Sequence, residues 1–146
     1  MGTIQIREGI PQLARFLFLR EAWRRVVGPA GGDWVEQIRK LPSDGPGGHV
    51  GNALDRLLRT GAAQSDITVV VRVMQWWLLA GLCQLLDEPP ALEAEVADIA
   101  WRLVLLDEHG EPTAPIEGLI ESLLETEPSG REMRPRDKPD RHGPAG

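Results

Sequence analysis

Residues 67–86 form a run of twenty mostly apolar residues, and no other stretch constrains the fold as strongly. Its interior carries Arg72, Gln75 and Gln84. An arginine at the centre of a bilayer costs roughly 2.5–3.5 kcal/mol on insertion scales, which speaks against a membrane span. The first half of the run (Ile67, Val69, Val70, Val71, Val73) is β-branched and suits a strand. Twenty residues without Gly-Pro punctuation exceed the ordinary strand, so length favours a helix over residues 66–86. Ser65 or Asp66 is placed to cap it, and Pro89-Pro90 to stop it. A helix apolar nearly all round is expected at the centre of a domain.

Around this segment the apolar spacing predicts shorter helices. One spans 11–27, with Pro11 in its first turn and Leu13, Phe16, Leu17, Leu19, Trp23 and Val26 on its apolar face. A second, over 33–41, has Asp33 and Glu36 at capping-box spacing. A third, over 50–60, offers an Asp55–Arg59 pair at i, i+4 and Gly61 as its C-terminal cap. Two more are expected over 91–106 and 115–125. The alternation Thr3-Ile4-Gln5-Ile6-Arg7 permits a brief N-terminal strand. The expected fold is therefore all-α: a compact bundle of five to six helices around a long central one. The domain is expected over 1–127. Residues 128–146 are rich in Arg, Pro, Asp and Gly without hydrophobic periodicity, which is the composition of a disordered tail.

The net charge of −6 conceals an asymmetry. Residues 87–127 hold twelve acids against one base, whereas residues 1–40 hold seven bases against four acids. The acidic block repels nucleic-acid phosphates and attracts basic partners. One cysteine, Cys83, excludes an intrachain disulfide framework and a Cys-based zinc site. His49, His109 and His142 are far apart in the sequence. No basic stretch followed by an apolar run opens the chain, so the expectation is a cytoplasmic protein without a secretion signal. The abundance of Arg, Ala, Gly and Pro, with Lys40 and Lys138 the only lysines, suggests a GC-rich bacterial genome.

Few residues nominate chemistry. The loop Gly45-Pro46-Gly47-Gly48-His49-Val50-Gly51 leads into a helix, but it lacks the Lys-Ser/Thr of a P-loop and reads as a linker. Asp107, Glu108, His109 and Glu111 form an acidic turn without the calcium-loop pattern. No nucleophile or oxyanion donor accompanies His109, so neither a catalytic site, a metal site nor a cofactor is expected. Cys83, among leucines, is expected to be buried and inert.

Two constellations remain. Thr68, Arg72 and Gln75 fall on one narrow polar stripe with Trp76 four residues beyond Arg72. A partly buried Arg72 needs an acid or carbonyls. The functional alternative is an anion site at Arg72, Gln75 and Trp76. Glu117, Glu121 and Glu125 stand at i, i+4, i+8, a spacing at which like charges destabilise a helix by a few tenths of a kcal/mol per pair. A docked basic surface relieves that repulsion, either the Arg-rich tail of this same chain or another protein, with Leu124 as the apolar anchor for the latter. The function expected from sequence is thus a non-enzymatic protein-binding module, an adaptor or inhibitor of a basic partner. The runner-up is a small-ligand or enzymatic domain at Arg72. Neither nucleic acid nor membrane is an expected partner.

Overall fold

The computed structural model describes residues 2–135, with side chains from residue 9 onward. About half of the chain is helical. The order is α1 (Gly2–Trp23), α2 (Asp33–Arg39), α3 (Val50–Arg59), α4 (Gln64–Asp87), a single 3-10 turn (Ala94–Val96), strands β1 (Val104–Leu106) and β2 (Pro112–Pro115), and α5 (Leu119–Leu123).

The 67–86 run is helical, as its length predicts, but it is not the hub of a bundle. Its best 18-residue window is only 6% buried. One side of α4 packs on α1, α5 and the hairpin; the other carries exposed Val70, Met74, Trp77, Leu78, Leu82 and Leu85. By length and composition alone α4 is apolar enough to cross a membrane. All-round apolarity has two physical causes, burial on every side or an unpartnered face, and α4 shows the second.

The main core lies where the C-terminal halves of α1 and α4 meet α5. Leu19, Trp23, Cys83, Ile116, Leu119 and Leu123 are its buried members. Val35 of α2 and Leu54 of α3 are buried beside it in sequence order but belong to a separate small contact between those two helices. The Asp55 carboxylate pairs with Arg39 of α2 at 2.7 Å and so ties two helices together, while Arg59 Nε donates only to the Asp55 main-chain carbonyl, at 3.3 Å. Gly61 ends α3 at φ +92°, and the Gly61 and Ala62 amides return to Leu58 and Leu57. That is the left-handed termination glycine permits.

Four local expectations change. Helix α1 runs through Pro11 from Gly2, so no strand forms over residues 3–7; an isolated strand there has no neighbour to pair with. Gly32, not Asp33, occupies the N-cap of α2, without a side-chain capping bond, so the capping box is not made. The helix expected over 91–106 is replaced by the 3-10 turn and β1. The cause is the turn that follows. Asp107 Oδ1 accepts the amides of His109 (2.8 Å) and Glu111 (2.9 Å), and Gly110 takes φ +79°. This Asx-type turn folds β2 back antiparallel on β1, with Leu105 opposite Ala114. Finally, Gly118 at φ +74° delays the start of the last helix, and α5 spans five residues instead of the eleven expected over 115–125.

Of the expected 128–146 tail, the described part, through Pro135, continues as turns, and Met133 packs against the core. Residues 136–146 lie outside the described residues.

Candidate functional site

The polar stripe of α4 is the best-built constellation in the molecule. Arg72 lies on the packed side of α4 and its side chain is 11% exposed. Its Nη1 donates to the Val27 carbonyl at 2.6 Å, and its Nη2 pairs with Glu127 Oε1. Gln75, less than one turn further on, accepts the Val27 amide through Oε1 at 2.7 Å. Arg72 and Gln75 therefore grip Val27 by its carbonyl and its amide, and so fix the chain where it leaves α1.

Glu127 is fully buried at its side chain, yet it remains the partner of a cation. Ser129 supplies two donors, Oγ to Oε2 at 2.5 Å and the amide to Oε1 at 3.2 Å. Burial pushes the Glu127 carboxyl up, but the Ser129 hydrogen bonds and the Arg72 charge outweigh it and hold the group below the ordinary carboxylate value. Arg72 also lies over the ring of Trp23 at 6.0 Å. The Trp23 Nε1 donates to the Leu123 carbonyl (3.0 Å) and to Thr126 Oγ1 (3.2 Å). Thr68, one turn before Arg72, accepts Trp34 Nε1 at 3.0 Å and so holds α2.

The stripe Thr68–Arg72–Gln75 thus joins three separate segments to one face of α4. Trp76 is not part of this grip. It packs into the core, and among the described residues its Nε1 is buried without a hydrogen-bond partner. The expected stacking of Arg72 is met by Trp23 instead. The decisive partners missed from sequence were Val27 and Glu127. A main-chain carbonyl leaves no side-chain signature, and Glu127 stands 55 residues from Arg72 among many other acids.

Beside Arg72 is a cleft of about 550 Å³, lined among others by Thr68, Val69, Arg72, Arg131, Met133 and Arg134. Gln75 and Trp76 do not line it.

The acidic residues divide between internal work and the surface. Asp87 accepts the amides of Leu119 (3.1 Å) and Ile120 (2.8 Å), which fixes the start of α5 to the end of α4. Asp107 builds the hairpin turn and Glu127 the ion pair. Glu117, Glu121 and Glu125 are all exposed, and Leu124 is half-buried. They do not form a three-step helical ladder. Glu117 precedes Gly118, whose left-handed backbone breaks the register, and the Glu117 carbonyl receives Arg15 Nη1 at 3.3 Å. Glu121 and Glu125 alone retain helical spacing. Cys83 is 1% exposed, and burial, then the Asp87 charge, pushes its thiol up to about 11.

Comparison with protein-family models, with curated proteins and with solved structures returns no match. What the chain does is therefore argued from its own surface.

Proposed function

We propose that the chain is a non-enzymatic protein-binding module. The observation that carries this reading is the outward face of α4, where Val70, Met74, Trp77, Leu78, Leu82 and Leu85 are all substantially exposed on one helix. An exposed apolar stripe of this length marks a surface with an occupant. Helix α1 adds Leu13, Phe16 and Leu17. The exposed acids Glu117, Glu121 and Glu125, with Leu124 beside them, supply the charge that steers a basic partner. Each exposed pair contributes little alone, so affinity comes from the apolar face and selectivity from the charge.

The test is capture from the native cell, at low and at physiological salt, with three baits: the natural chain, the Glu117/Glu121/Glu125→Gln triple variant, and Trp77→Glu. The triple variant is expected to lose salt-sensitive partners, and Trp77→Glu to lose affinity at both salts. Identical captured sets for all three baits contradict the reading.

A second reading has its own observation. The cleft beside Arg72 gathers Arg131 and Arg134 around an apolar floor that includes Met133. Arg72 already serves Val27 and Glu127, and Arg134 pairs with Glu132 at 3.3 Å, so an anionic ligand there is held first by Arg131. Titration with inorganic phosphate, compared with Arg131→Ala, tests it; no binding by the natural chain removes this reading.

A further inference from the structure

We infer that the outer face of α4 is the seam of a two-fold homodimer, in which α4 of one copy packs antiparallel on α4 of a second. The inference rests on the apolar-face half of the binding-module reading and assigns that face to a second copy; because the chain itself is acidic, with net charge −6, the exposed glutamates, which lie outside α4, are left to a separate basic partner.

Area exposed beyond that of a compact body, counted over the whole chain, favours an association. The chain's accessible surface is 11,461 Å², whereas a compact monomer of 16.1 kDa exposes about 7,400 Å². Residues 1–8 and 136–146 do not account for the difference. Granted the full area of an extended chain, they contribute about 3,000 Å², and the remainder still exceeds a compact body of its mass by about 1,800 Å². A standard interface buries about 800 Å² per partner.

The residue pattern along α4 fits a helix pair. At about 100° per residue, Val70, Met74, Trp77 and Gly81 lie within about 40° of the direction opposite Arg72. Their spacing of four, three and four is that of a helix-pairing seam. A two-fold axis requires that if position i meets j, then j meets i. Antiparallel pairing about the middle of α4 satisfies this with complementary sizes. Met74 of each copy meets Trp77 of the other, a sulfur–aromatic contact. Val70 of each meets Gly81 of the other, where a β-carbon finds nothing within 4 Å and two backbones have room to approach. Antiparallel dipoles also attract.

The outer face of α4 is also free of charge. Between Asp66 and Asp87 the only charged side chain on α4 is Arg72, and it is buried on the opposite side. A charged partner finds nothing to pair with along the seam. A membrane fits poorly as well. Asp66, Asp87 and Glu88 stand at the helix ends, and no basic residue occupies the last turn, so cationic anchors are missing and anionic headgroups are repelled. Residues 136–146 contain no side chain larger and apolar enough to cover the seam from within the same chain.

The experiment measures the mass of the purified full chain by sedimentation equilibrium, for the natural sequence, Trp77→Glu and Met74→Glu. It is paired with oxidation of the single variants Val70→Cys and Gly81→Cys, each alone and mixed one to one. Antiparallel pairing sets position 70 of one copy against position 81 of the other, about 16 Å away along the helix within one copy, so a cross-linked dimer that forms only in the mixture reports antiparallel pairing, whereas parallel pairing cross-links each variant alone. The natural chain is expected at twice its monomer mass. Either Glu variant is expected to weaken association by about thirtyfold or more, with unchanged helical circular dichroism because the site is exposed in the monomer. Should one variant fail to fold, the other and the cross-link carry the test. A monomeric natural chain, a dimer indifferent to both Glu variants, or no cross-link overturns the inference. A monomer that loses a different protein partner on Trp77→Glu overturns the homodimer but leaves the binding module standing. A monomer that binds neutral phosphatidylcholine vesicles through this face overturns both.

Discussion

Arg72 shows how one polar residue on an apolar helix organises the chain around it. Its two amine groups are spent on Val27 and Glu127, and both partners come from segments that follow helices. Arg72→Ala leaves Glu127 buried without its cation and is expected to cost roughly 3–5 kcal/mol, read as a lower urea midpoint. Replacing Arg72 by Met and Glu127 by Leu together is expected to recover most of that loss, because an apolar pair removes the desolvation problem. The pair also sets an acid limit. The folded Glu127 carboxyl lies below its unfolded value, so its contribution is whole above the unfolded value and is lost as pH falls from there through the lower folded value. Glu127→Gln is expected to flatten the acid side of the stability–pH curve. At this scale the sequence was informative about need but silent about partner. An arginine among valines and leucines has to be paired, but nothing local indicates that its acid follows α5 or that its carbonyl follows α1.

Among the elements, those with strong local grammar were legible. Helix α3, ended by Gly61, and α4, stopped before Pro89-Pro90, have close to their expected extents. The segment after Pro90 was not. Leu103-Val104-Leu105-Leu106 satisfies a helical stripe and a short strand equally well, and the outcome is decided by the Asp107–Gly110 turn and by pairing with β2. Helix α5 has the opposite difficulty. Its apolar spacing continues on both sides, but Gly118 at its N-cap delays its start, and five residues are too few to stand without tertiary support. Much of that support comes from Asp87, whose carboxylate holds the first two amides of α5. Asp87→Ala is expected to destabilise the fold by about 0.5–2 kcal/mol, the usual cost of a lost helix cap. Hydrogen exchange should place the local effect at residues 119–123, and an effect confined to the end of α4 contradicts this role. The glutamate set read from sequence as one ladder is divided by the same glycine, with Glu117 on one side and Glu121 and Glu125 on the other.

At the scale of the whole molecule, the unusual feature is a 24-residue helix with one side committed to the core and the other, almost uncharged, side open. Composition alone does not separate this arrangement from a helix buried all round, which is why a central position was expected. The distinction lies in how many elements are long enough to surround α4, and here α2, α3 and α5 are all short. An association through α4 makes stability depend on protein concentration, because whatever binds only the folded chain stabilises it by mass action. The most direct measurement is therefore the thermal midpoint of the natural chain over a hundredfold range of protein concentration, beside Trp77→Glu. The account predicts that the midpoint of the natural chain rises with concentration while that of Trp77→Glu stays lower and nearly constant. A midpoint of the natural chain that is independent of concentration and equal to that of Trp77→Glu contradicts it.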